Sequence, residues 1–146
     1  MKTLLVVLGM GLSIAHANAQ KVNVKDVPLS IKHSLQQNYG IKDADWDKEG
    51  SNYEASFEQK GKKVSVVFDA IGSILETERE IGKDELPVAV IDVLKKDYPD
   101  FELEESAKID SKGVITYEAE VEKGEQTFDL IFNAQGKLIK KEVKEG

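Results

Sequence analysis

The chain is written twice, and that repeat limits the folds open to it. Val27-Pro28-Leu29-Ser30-Ile31 returns as Leu86-Pro87-Val88-Ala89-Val90 at a spacing of 59, which also carries Leu35 onto Leu94 and Tyr39 onto Tyr98. Tyr53-Glu54-Ala55-Ser56-Phe57-Glu58 returns as Tyr117-Glu118-Ala119-Glu120-Val121-Glu122 at a spacing of 64, as does Phe68-Asp69-Ala70-Ile71-Gly72 as Phe132-Asn133-Ala134-Gln135-Gly136. The second copy therefore has a longer connection after its first element. Order, spacing and turn chemistry agree, so each copy is read as one structural unit.

Each copy opens with a helical pattern. Val27, Ile31, Leu35 and Tyr39 recur every four residues and form one apolar stripe. Asp26 is a natural N-cap, Pro28 falls in the first turn where a missing N–H costs little, and Gly40 ends the helix. In the second copy Leu86, Val90 and Leu94 repeat the stripe and Pro99 stops it. Val88, Ala89, Ile91 and Val93 make this helix apolar on more than one side, which predicts deeper packing for it than for the first.

The period then changes to two. Tyr53, Ala55 and Phe57 alternate with Glu54, Ser56 and Glu58, and Val64, Val66 and Phe68 with Ser65, Val67 and Asp69. Tyr117, Ala119 and Val121 alternate with glutamates, and Phe128, Leu130 and Phe132 with Asp129 and Ile131. Such alternation predicts antiparallel strands with one face on a core and one in water. Lys60-Gly61, Lys123-Gly124, Gly50-Ser51 and Lys112-Gly113 mark bends, and the Asp69–Gly72 and Asn133–Gly136 segments fit type I turns closed by a left-handed glycine. The expected class is α+β: two tandem units of one helix plus a four-stranded antiparallel meander. The units, 20–82 and 83–146, are expected to join into one curved sheet with both helices on the same face, which would hide two sheet edges.

Residues 1–19 read as an export signal. Lys2 gives a positive start, Leu4 to Ile14 is apolar, and Ala17-Asn18-Ala19 supplies small residues for cleavage after Ala19. The apolar run is too short to cross about 30 Å of hydrocarbon as a helix. The reading is an exported protein, periplasmic or extracellular, with no membrane insertion after cleavage. The chain has 20 basic and 27 acidic residues, a net charge of −7, and loses Lys2 with the signal. Nucleic acid and anionic lipid surfaces would repel it. The absence of cysteine removes thiol catalysis, thiolate metal sites and disulfides.

The catalytic inventory is thin. His33 is the one histidine beyond the signal, and it lies off the helix stripe with no partner nearby in sequence. Asp43, Asp45, Asp47, Ser51 and Glu54 have the ligand spacing of a calcium loop. Lys48, however, stands where that loop needs glycine, and a strand pattern follows Glu54 in place of a helix. Trp46 is expected to be a core anchor. No cofactor, metal site or catalytic residue is assigned.

The helix stripe, the Tyr-Glu-Ala strand, the Phe-Asp/Asn-Ala-x-Gly turn and the export signal together resemble the PepSY-like proteins with a β-lactamase-inhibitor-protein-like fold. The resemblance runs from about Asp26 to Glu142. It implies tandem helix-plus-sheet units, export and no catalysis. The better-known relatives by fold grip a secreted enzyme across a concave sheet or, as PepSY domains, occur in protease propeptides and modulate peptidases. The enzyme-blocking loops of the β-lactamase inhibitor have no counterpart in this sequence.

The polar sheet face is the candidate binding surface. Val67 and Ile131 occupy equivalent positions and form an apolar centre ringed by Glu54, Ser56, Ser65, Glu118, Glu120 and Asp129. The expected function is a non-catalytic binding module that recognises or modulates a protein or peptide, peptidase-inhibitor-like, through this face. The alternative is an acidic envelope protein that binds calcium or a small ligand.

Overall fold

A computed structural model describes residues 19–144. Apart from Ala19, the export signal lies outside the described residues. The chain divides into two compact units, the first ending at Glu78 and the second beginning at Arg79.

In the first unit a short strand, β1 (Gln20–Lys21), leads into a 3-10 turn over Val24–Asp26 and then helix α1 (Leu29–Tyr39). Asn23 caps the turn by accepting the Lys25 N–H at 3.0 Å, so Asp26 is not the helix cap. The helix starts one residue past Pro28, whose carbonyl accepts the Ile31 and Lys32 N–H groups at 3.1 and 3.2 Å. Proline fits here because its fixed φ suits the entry and it has no N–H to leave unpaired. Gly40 closes α1 with φ 71°, a left-handed conformation that costs glycine little, and donates to the Gln36 carbonyl at 2.9 Å. Strands β2 (Asp45–Glu49), β3 (Asn52–Gln59), β4 (Lys62–Phe68) and β5 (Ile74–Glu80) follow. β1, β2, β3 and β4 pair antiparallel in that order, and β5 lies beside β4.

The second unit repeats the plan. A 3-10 turn over Lys83–Glu85 precedes helix α2 (Val88–Asp97), and strands β6 (Glu102–Ser111), β7 (Val114–Lys123), β8 (Gln126–Asn133) and β9 (Leu138–Lys144) pair antiparallel in sequence order. The Pro87 carbonyl accepts Val90 and Ile91 N–H groups as Pro28 does in the first unit. Each helix is thus followed by a four-stranded antiparallel sheet, the α+β tandem arrangement that the alternation predicts.

The cores are the predicted stripes. In the first unit Val27, Ile31 and Leu35 pack on Trp46, Ala55, Val64, Val66 and Phe68. Trp46 is buried and tilted against Phe68 at 6.2 Å between ring centres. In the second, Leu86, Val90 and Leu94 pack on Ala119, Val121, Leu130 and Phe132. Burying one such side chain is worth about 1.5–3 kcal/mol. The expected deeper packing of α2 does not occur. Only Val90 and Leu94 are buried along it, matching Ile31 and Leu35 in α1, and Val88 is 75% exposed.

One contact fixes each helix to its sheet. Gly72 and Gly136 close the β4–β5 and β8–β9 turns with φ of 95° and 81°. A Cβ on Gly72 would lie 2.9 Å from the Ser30 carbonyl oxygen, and one on Gly136 2.6 Å from that of Ala89. The turn thus rests directly on the first turn of the helix, where no side chain fits. Asp69 and Asn133 shape the two turns identically, each accepting two backbone N–H groups: Ile71 and Ser73 at 3.1 and 2.8 Å, Gln135 and Lys137 at 3.0 and 2.9 Å. Strand β9 reaches Lys144: Val143 pairs with Phe128 and Lys144 with Thr127.

Candidate binding face

Opposite the helix side, each sheet presents the polar residues of the alternation. In the first unit Glu54 on β3 pairs with Val67 on β4, and Ser56 with Ser65. In the second Glu118 on β7 pairs with Ile131 on β8, and Glu120 with Asp129. Cross-strand partners share a face, so within each unit the four residues of the predicted patch that it carries lie on one face.

The face is less wet than the alternation suggests. Val67 and Ser65 are each 3% exposed, and Glu118, Glu120, Asp129 and Ile131 are also buried; only Glu54 and Ser56 are partly open. Buried polar groups need partners. The Ser65 Oγ and the Asp129 Oδ1 have no hydrogen-bond partner among the described residues.

Around Glu54 the electrostatics are acidic. Its register partner on β2 is Asp47. Burial, with Asp47, Glu49 and Glu76 nearby, pushes its carboxyl up to about 7; the Ser56 hydroxyl, donating at 3.4 Å, only partly offsets this. Glu76 and Glu78, both buried, come from β5. A small recess lies here, lined by Ala19, Asp47, Glu49, Asn52, Tyr53, Glu54 and Val67.

The second unit balances its acids. Lys144 on β9 donates to a Glu120 carboxylate oxygen and lies 3.1 Å from Asp129 Oδ2, and Lys140 pairs with Glu142 at 2.6 Å. Burial alone would lower the Lys144 ammonium; its bonds to Glu120 and Asp129 win and hold it at about 12. Glu118 rises to about 8, mainly through burial and then through Asp129, with Lys144 opposing. Asp129 is also raised, because burial outweighs its bond to Lys144.

Sequence reasoning missed Glu76, Glu78, Lys140, Glu142 and Lys144. The signal was available, since the spacing of 64 maps Glu76, Glu78 and Glu80 onto Lys140, Glu142 and Lys144. It was hidden because β5 and β9 have weak apolar alternation. Trp46 belongs to the core, and His33 is exposed on α1. The calcium-loop spacing falls on a hairpin: Asp45 and Asp47 lie in β2 and Glu54 in β3. Among the described residues no group of three or more potential metal ligands converges, and no helix is long and apolar enough to cross a membrane.

Comparison with known proteins places this architecture. No curated protein matches the chain. Among solved structures, a protein from Bacteroides eggerthii described as periplasmic superposes with a TM-score of 0.74 at 17% identity, covering 80% of this chain and 88% of its own. A DUF2874 family protein from Bacteroides uniformis gives 0.72 at 20% identity over 80% and 88%. A BLIP-like protein from Bacteroides fragilis gives 0.66 at 23% identity over 82% and 87%. These likenesses establish the fold. The family of beta-lactamase-inhibitor-like, PepSY-like proteins matches over residues 14–76 and again over 51–140. With a two-unit scaffold and a family match over most of its length, the chain belongs to the beta-lactamase-inhibitor-like, PepSY-like family.

Proposed function

We propose that the protein is an exported, non-catalytic binding module that recognises a protein or peptide partner through the polar faces of its sheets. One observation carries this reading: both units keep carboxylates buried on that face at a cost to stability. A carboxyl that partial or full burial holds up to about 7 or 8, as at Glu54 and Glu118, weakens the folded state at neutral pH. Residues kept against folding stability belong to function more often than to architecture. The net charge of −7 favours a basic partner, chiefly by speeding encounter.

The test is cross-linked capture from the envelope fraction of the source cells, repeated with variants. Glu54→Gln and Ser56→Ala are expected to weaken a recovered complex at least about tenfold, roughly the loss of one charged contact. Leu29→Ser and Val88→Ser, at equivalent exposed positions that open the two helices, serve as controls and should leave it intact. The reverse pattern would move the binding surface to the helices.

A further inference from the structure

The recess beside Glu54 has an unusual wall. Ala19, the residue before the expected cleavage point, lines it together with Asp47, Glu49 and Glu54. The next two residues, Gln20 and Lys21, are held in β1 by register with Lys48 and Asp47 on β2. The Val22 N–H donates to the Trp46 carbonyl at 2.9 Å. Antiparallel bonds alternate, so two residues earlier the Gln20 nitrogen faces the Lys48 carbonyl. Scission of the Ala19–Gln20 peptide bond would turn that nitrogen into an ammonium group. It would be fixed by one backbone bond and have two further N–H donors at the edge of the recess that Asp47, Glu49 and Glu54 line.

We infer that the α-ammonium group of Gln20, released by cleavage after Ala19, joins Lys21 as a cation of the first unit's acidic recess and pairs with Asp47, Glu49 and Glu54. This rests on the export reading above. The other charged groups facing the recess are Glu76 from β5 and Lys21, the register partner of Asp47. Lys144 serves the second unit's acids from the last strand; here the first residue of the mature chain takes that role. The uncleaved chain has an uncharged amide at this point, so processing itself completes the site. Ammonium at this position is also protected chemically. An N-terminal glutamine cyclises when its neutral amine attacks the side-chain amide carbon and ammonia leaves, and a protonated, paired amine has no lone pair to do so.

The experiment uses the full secreted chain. Intact mass first establishes where it starts. The chain starting at Gln20 is then compared with its N-acetylated form, which keeps the fold and removes only the charge. The α-amine is expected to titrate about one pH unit above its ordinary range of roughly 7.7–8.0. Glu54→Gln should bring it part of the way back, and acetylation should lower Tm by a few degrees at pH 7. Any cyclised fraction carries no ammonium and should melt with the acetylated form. A secreted chain that starts elsewhere sinks the processing site and the pairing together. An ordinary amine midpoint and an unchanged Tm in a chain that does start at Gln20 sink the pairing alone.

Discussion

The two units share a backbone plan but neutralise their polar faces differently. In the second, the acids stand on the central strands as Glu118, Glu120 and Asp129, and the last strand brings Lys144 to Glu120 and Asp129, while Lys140 pairs with Glu142 beside them. In the first, serines occupy the positions of Glu120 and Asp129, and the last strand brings Glu76, Glu78 and Glu80. The core positions hardly differ: Ala55 and Ala119, Val66 and Leu130, Phe68 and Phe132 are apolar pairs. Duplication has therefore kept what packs and changed what is charged. A close-packed core accepts only apolar changes that roughly conserve its volume, whereas a polar face can be balanced from any neighbouring strand.

The sharpest way to break the comparison is to remove the second unit's cation. Lys144→Met would leave Glu120 and Asp129, both nearly inaccessible, without their shared partner. Stripping one member from a buried charge set costs about 3–5 kcal/mol. Urea denaturation at pH 7 should show a loss in that range, shrinking toward pH 4 as Asp129, already raised by burial, takes up its proton. An unchanged midpoint would mean that the lysine is dispensable and the contrast between the faces is one of composition only.

A smaller effect tests what the units share. Gly136→Ala places a Cβ 2.6 Å from the Ala89 carbonyl oxygen, and Gly72→Ala one at 2.9 Å from that of Ser30. Both need φ above +80°, which alanine adopts poorly. The expected cost is about 3 kcal/mol for Gly136 and about 2 for Gly72, given the sizes typical of strained or overpacked sites. Gly50→Ala, at φ 60° with open space around it, should cost only about 1 kcal/mol. Equal losses at all three would show that φ alone matters and that the turn does not bear on the helix.

Those shared elements are also what the sequence makes legible. Periods of four and two, the prolines before each helix and the Asp69 and Asn133 turns are local signals, and each led to the observed element. Local signals failed where a distant contact decides. The apolar run Val88, Ala89, Ile91 suggests a deeply buried helix, yet Val88 faces outward because the sheet offers room for only one stripe. Val67 and Ile131 read as exposed because strand alternation assigns a side, not a depth. The role of Lys144 was illegible from its place near the chain end, since pairing with β8 and not composition brings it over Glu120 and Asp129.

The smallest effect separates the two faces by pH. Glu54 holds its proton to about 7 and Glu118 to about 8, both above the ordinary carboxyl value of 4.5. A raised folded-state value means the native protein binds more protons than the unfolded chain between the two values, so stability falls as pH rises through that window. For Glu54 the window runs from 4.5 to about 7, and for Glu118 from 4.5 to about 8. Glutamine keeps the shape and removes the charge but still buries a polar amide, so the net gain is smaller than the full linkage energy. In the N-acetylated chain, where no ammonium faces it, Glu54→Gln should raise stability by roughly 1–2 kcal/mol above pH 7 and change little at pH 4. Glu118→Gln should keep gaining up to about pH 8, and its gain should grow in a Lys144→Met background, where the cation that opposes the rise of Glu118 is gone. Chemical denaturation from pH 4 to 9 measures both. Identical profiles for the two variants would show that Lys144 does not reach Glu118, and that the two acidic faces titrate as one kind of surface.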